Sequence, residues 1–202
     1  MVDKRKITSD TDSFFDKEQN VASMTECTGL TQVPPFDLEE VESFTDIYDI
    51  QRCIRDRAQT ACEDLARAIS FIFTHADELE VDTNCYSLWG GSAGARMAAW
   101  LGSYGSAAFG GDALPQPGTV IMQYTGHSDY TENDPPTFAC VGENDGIANW
   151  RTMERRIEAL GNLGIPTEFH HYPGLSHGFG LGTGTIAEGW IKDAVAFWEA
   201  QM

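Results

Sequence analysis

The sequence predicts an α/β fold: a mostly parallel sheet flanked by helices. Two observations carry that expectation. Short segments that are apolar throughout alternate with segments whose apolar residues recur every three or four positions. The residues with the most chemical potential fall just after the strand-like segments, where open α/β sheets place their sites. A strand that is apolar throughout is buried on both faces, which calls for helices above and below a parallel sheet.

The elements follow in order. Residues 1–50 carry 12 acidic and 4 basic residues and show no clear alternating strand. Val33-Pro34-Pro35 breaks any regular element there, and Phe36 to Ile50 fits a short acidic helix with Asp37 as its N-cap. From Ile54 to Leu79, Ala58, Ala61, Leu65, Ala68, Ile69, Ile72 and Phe73 mark one helical face. Asn84 to Trp89 is a short strand bounded by Asp82 and Gly90, and Ala93 to Leu101 a helix. Gly118 to Tyr124 and Thr137 to Val141 are continuous apolar strands. Trp150 to Leu160 is a helix with Met153, Ile157 and Leu160 on one side, Thr167 to Tyr172 a strand, and Ile186 to Ala200 a final helix. The expected division is an acidic, strand-poor segment at residues 1–52 and an α/β region at 53–202.

Composition narrows the function. The 202 residues make about one domain, with enough surface to bury for a core without staples. Against 31 acidic residues stand 13 basic ones, for a net charge of −18. That balance opposes nucleic acid and anionic membrane surfaces as partners, because phosphate is held by Lys and Arg. The five cysteines show no CxxC spacing, so a zinc ribbon or a thioredoxin motif has no support, and free thiols in a reducing compartment are expected. Met1 to Asp12 lacks the apolar core of a signal peptide, and no apolar run is long enough to span a membrane. A cytoplasmic location is the expectation.

The chemistry concentrates in three loops. Gly90-Gly91-Ser92-Ala93-Gly94 fits G-x-S-x-G between a strand and a helix. Such a turn lifts a serine hydroxyl above the sheet, and a side chain at Gly90 or Gly94 is expected to collide with the closely packed backbone. Ser92 is therefore the candidate nucleophile; the rival reading is a glycine-rich turn gripping a phosphate. A serine needs a base, oriented by a third group. Among five histidines, His177 stands in the flexible loop Gly174-Leu-Ser-His-Gly-Phe-Gly180, after a strand. His170 and His171 are neighbours in a strand and point to opposite faces. Asp145, in Gly142-Glu-Asn-Asp-Gly146, is the candidate acid, with Glu143 as a rival and a helix N-cap as its alternative role. Gly91 and His127 are candidate substrate contacts, with loop packing the favoured alternative for His127, and Trp89, Tyr124 and Tyr130 are candidate pocket walls, with core packing the favoured alternative for Trp89. The order Ser92, Asp145, His177, each beyond a successive strand, ties the three together.

These three loops resemble those of the α/β-hydrolase fold, and are most similar to bacterial acetylesterase-like and lipase-like members, over roughly residues 53–202. The resemblance implies a serine hydrolase cleaving small carboxylic esters through an acyl-enzyme. Ser92 would attack, His177 act as base and then acid, Asp145 orient it, and the Ala93 N–H hold the oxyanion, with no metal or organic cofactor. Its partner would be a small-molecule ester. A prolyl-oligopeptidase-like peptidase and a non-catalytic, hydrolase-like binding module are the alternatives. Such esterases also carry a His-Gly-Gly-Gly-like loop ahead of the elbow, which this sequence lacks. The expectation is an N-terminally shortened hydrolase, of weak activity, with an apolar sheet edge at Asn84–Trp89 that admits a homo-oligomer.

Overall fold

The computed structural model describes residues 50–202, with side chains from Ala58 onward. The acidic helix expected at Phe36–Ile50 and any strands before it lie outside the described residues. The chain divides into two compact units, residues 1–58 and 59–202, and every strand of the described residues belongs to the second.

Helix α1 (Ile50–Thr74) is followed by a single turn, α2 (Ala76–Leu79). Then come β1 (Ser87–Gly91), α3 (Ala93–Tyr104) with a 3-10 turn at Ser106–Phe109, β2 (Thr119–Gln123), β3 (Thr137–Gly142), α4 (Trp150–Asn162), β4 (Thr167–Tyr172) and α5 (Trp190–Glu199). The four strands lie side by side in chain order, all parallel. Every residue of β2 and β3 is buried, as their unbroken apolar sequences require. Among the described residues β1 has one neighbour, β2.

Alternation along the strands sets the two layers. Ile121, Phe138 and Cys140 point to the face covered by Ala187, Trp190, Ala194 and Phe197. Val120 points to the other face, where its methyl lies so close to Gly102 of α3 that an added Cβ would come within 2.6 Å. α3 therefore meets the sheet through Ala95, Ala98, Ala99 and Gly102, small residues that let the helix axis approach closely. α4 packs on β3 and β4, burying Met153, Ile157 and Leu160 on the expected face.

Two boundaries and one face differ from the sequence reading. β1 starts at Ser87, because Asn84 is held in a turn by Asp82, whose Oδ1 accepts its backbone N–H at 2.9 Å. It runs on through Gly90 and Gly91, which pair in register with Met122 and Gln123. α5 starts at Trp190, because Thr185–Gly189 is wound into turns and Gly189 is left-handed. The buried stripe of α1 is Cys62, Ala66 and Ile69, while Ala68 and Ile72 are exposed. A cysteine counted as apolar recovers that stripe, since free Cys is among the most buried residue types. Burial pushes the Cys62 thiol up to about 12. No helix of the described residues is long and apolar enough to cross a membrane.

The β2–β3 connection folds inward around charge. Arg156 of α4 and Asp134 form an ion pair at 2.5 Å with both side chains about 1% exposed. Asp134 also accepts the Thr131 N–H at 2.8 Å, and Arg156 Nε donates to the Asp129 carbonyl at 2.8 Å. His127 is fully buried in this connection, its ring edge-on to Trp100 at 5.4 Å. Burial holds its pKa well below the usual 6.5, and the positive charges of Arg156 and Arg96 lower it further.

A folded-state pKa below the unfolded one means that the unfolded chain takes up the proton first. His127 thus costs no stability above pH 6.5, and costs progressively more as pH falls below it. The expected slope from this one group is up to about 1.4 kcal/mol per pH unit. Urea unfolding of His127→Gln should show a shallower loss between about pH 6.5 and 5 than the parent; parallel curves would exclude the effect.

Candidate active site

The site begins with a backbone crossing. A Cβ on Gly90 would overlap the Gly94 carbonyl and the Ala95 nitrogen, so only glycine lets β1 run this close under the first turn of α3. The chain must then reverse within one residue. Ser92 does so at φ 54 and ψ −120, a conformation that L side chains rarely adopt. Its N–H still donates to the Gln123 carbonyl at 2.9 Å, continuing the β1–β2 ladder, while its own carbonyl accepts the Arg96 N–H at 3.4 Å as the first bond of the helix. Ser92 is at once the last rung of the sheet and the cap of α3. The N–H groups of the first helical turn, Ala93 included, have no helical carbonyl to meet and favour negative charge beside the hydroxyl.

The acid loop leaves β3 next to it. Asp145 divides its carboxylate between two tasks. Oδ1 accepts the backbone N–H of Ile147 at 2.8 Å and of Ala148 at 2.7 Å, which fixes the turn. Oδ2 faces His177 Nδ1 at 2.7 Å, and the side chain is fully buried. The turn cap and the contact to His177 are thus both made by one residue. Glu143, the rival acid, is exposed.

His177 closes the arrangement. Its Nε2 lies 2.9 Å from Ser92 Oγ. Because a carboxylate only accepts, Nδ1 carries the ring proton toward Asp145, and Nε2 is left to accept the proton of the serine hydroxyl. The ring packs edge-on to Tyr124 at 4.8 Å, and Tyr124 packs in turn against Phe179 at 5.0 Å. A Cβ on Gly142 would overlap the Leu175 carbonyl, so the acid loop and the histidine loop touch with no room for a side chain. Ser92, Asp145 and His177, from three loops, meet in one chain of hydrogen bonds.

The remaining candidates fall differently. Gly91 ends β1, and a Cβ there would stand 2.9 Å from the Tyr124 hydroxyl, so this glycine keeps the space between elbow and tyrosine open. His127 does not join the site: it is enclosed in the core and offers a substrate no surface. Its burial beside Trp100 gives it a packing role, in place of the substrate contact expected of it. His170 stacks on Phe138 and His171 packs tilted against Trp150, on the two faces expected of strand neighbours. Tyr124 lies at the site, and Trp89 is 39% exposed with its ring tilted against Trp190. Gln123 was not singled out in the sequence, although both its backbone and its amide turn out to serve the site.

A family model described as BD-FAE matches residues 51–117, which contain the elbow. Solved structures superpose over most of the described chain. The α/β-hydrolase enzyme MGS-M1 from a Medee basin deep-sea metagenome library has a TM-score of 0.58 at 20% identity, over 69% of this chain and 64% of that one. The fold is that of the α/β-hydrolases. The thermophilic esterase Est2 of Thermogutta terrifontis gives 0.58 at 22% identity, over 69% of this chain and 64% of that one. The carboxylesterase Cest-2923 of Lactobacillus plantarum gives 0.60 at 18%, over 70% and 67%. The chain thus spans about 64% of the length of MGS-M1 and of Est2. No curated protein sequence matches it significantly. Within this α/β-hydrolase fold, the elbow serine stands at the strand-to-helix turn where the fold exposes a nucleophile.

The strain at Ser92 is measurable. Ser92→Gly should be more stable than Ser92→Ala by about 1–2 kcal/mol: relief of an unfavourable backbone conformation, offset by about 0.5–1 kcal/mol of glycine entropy. Equal unfolding midpoints for the two variants would limit the strain to about the 0.5–1 kcal/mol that glycine entropy cancels.

Proposed function

We propose that the chain is a serine hydrolase of small carboxylic esters, working through an acyl-enzyme. The observation that supports this most directly is the continuous run from Ser92 Oγ through His177 to a buried Asp145 carboxylate, at 2.9 and 2.7 Å, on a strained strand-to-helix turn. The names of the structural neighbours, two of them esterases, point the same way.

The steps follow from the geometry. As the serine oxygen attacks the ester carbonyl, its proton passes to His177 Nε2. The imidazolium that forms is stabilised by the Asp145 carboxylate, which stays ionised. The carbonyl oxygen becomes an oxyanion, and the Ala93 N–H at the start of α3 is placed to donate to it. His177 returns the proton to the leaving alcohol, and the acyl group remains on Ser92. A water then repeats the sequence: His177 takes its proton, its oxygen attacks the acyl carbon, and Ser92 leaves with the proton regained. No step requires a metal or an organic cofactor.

Two variants test the reading with p-nitrophenyl acetate. Ser92→Ala, at unchanged circular dichroism, should lose turnover by about 10⁴-fold or more and should no longer be labelled by a fluorophosphonate. Asp145→Asn should keep the turn, because an amide oxygen can still accept the Ile147 and Ala148 N–H groups. Its NH₂ would face His177 Nδ1, impose the wrong tautomer and cost on the order of 10⁴-fold. Parent-like turnover in either variant would remove that residue from the mechanism. A parent chain that neither turns over nor labels would favour a binding module.

A further inference from the structure

We infer that Gln123 is a positioning residue that ties the loop carrying His177 to the elbow carrying Ser92. Its catalytic consequence rests on the hydrolase reading; the tether itself rests on geometry. Gln123 is the last residue of β2, 6% exposed, and the in-register partner of Gly91. Its backbone carbonyl accepts the Ser92 N–H at 2.9 Å. Its side-chain amide donates to the Gly180 carbonyl at 2.5 Å. One residue therefore holds the nucleophile's backbone with one group and the base's loop with another.

The loop needs such a tether. Between β4 and α5 six glycines adopt positive φ, at 174, 178, 180, 182, 184 and 189. A segment so rich in left-handed glycine has no ladder of its own to fix it. Upstream of His177, the Leu175 carbonyl accepts the Asn144 N–H at 3.0 Å, which moors the loop to the acid's turn. Downstream, the mooring is the Gly180 carbonyl, shared between Gln123 and the Trp190 indole N–H at 2.9 Å. The imidazole hangs between the two, so its distance to Asp145 is governed from one side and its distance to Ser92 from the other. Trp190 belongs to α5 and fixes the loop to the core; Gln123 refers it to the elbow.

The test uses the full chain and two substitutions that leave the backbone carbonyl in place. Gln123→Leu removes the donor at similar size. Its kcat for p-nitrophenyl acetate should fall about 10–100-fold at nearly unchanged KM, because the reacting groups are misplaced while the binding surface is kept. Gln123→Glu places a carboxyl against the Gly180 carbonyl. Protonated, it donates as the amide did; ionised, it opposes one acceptor with another. Its kcat relative to the parent should therefore climb as pH is lowered, while the ratio for Gln123→Leu stays flat. The proton NMR signal of the His177 Nδ1–H, held by Asp145, should broaden in Gln123→Leu and sharpen again in Gln123→Glu at low pH. Parent-like kcat and an unaltered signal in Gln123→Leu would overturn the inference, as would a pH-independent ratio for Gln123→Glu. Should Gln123→Leu fail to fold, the Gln123→Glu ratio decides. Should the parent show no turnover, the hydrolase reading fails while the NMR signal still decides the tether.

Discussion

The contact on which the rest of the site depends is the side-chain-free crossing of β1 and α3, where Gly90 lies against the Gly94–Ala95 peptide. Because the backbones meet there, the helix has to begin within one residue of the strand's end, and the residue between them takes a conformation it would not otherwise hold. The surrounding packing maintains it. Ala95, Ala98 and Ala99 bring α3 down onto the sheet, and Gly102 meets Val120 further along. Burial along the length of that helix offsets strain concentrated at one residue, which is how functional conformations persist in folded chains. A side chain at Gly90 or Gly102 would force this seam apart, whereas one at Gly94, contrary to the expectation from the sequence, would meet nothing.

Asp145 and His177 are set by different means. Asp145 is fixed locally, by two N–H groups of its own turn, and its second oxygen points to His177 as a by-product of that turn. His177 has no local determinant of comparable strength. Its place follows from contacts between loops: the close approach at Gly142 and Leu175, the edge of Tyr124, and the moorings on either side. The places of Ser92 and Asp145 are thus products of short-range structure, while that of His177 is a product of tertiary structure.

That difference explains how much of the molecule could be read from its sequence. β4 was legible to the residue and β3 to within one, because their runs are bounded by proline or glycine and a strand needs little else. The Ser92, Asp145 and His177 loops were legible because each carries its own turn chemistry directly after a strand. The end of β1 was not: Gly90 and Gly91 read as a stop, yet they pair with β2, since glycine's need there arises from a helix the local sequence does not reveal. His127 looked like a site residue, because a histidine in a loop does not disclose that Arg156 and Asp134 draw that loop into the interior. Gln123 read as the polar end of a strand. Half of its contribution is made by a backbone carbonyl, which every residue has and no sequence pattern marks.

The glycine-rich segment between β4 and α5 has a consequence for how the protein ages and fails. Each left-handed glycine forfeits more conformational freedom on ordering than any other residue would, and six of them fall within one loop. Segments of that kind open at a fraction of the free energy that unfolds the core strands. His177 therefore sits on a segment that opens more readily than the sheet, while Ser92 and Asp145 sit beside β2 and β3, the two fully buried strands. Warming would part His177 from Ser92 while the four-stranded sheet stayed folded. A protease would find the same segment first, and its cut would part the imidazole from the hydroxyl it serves.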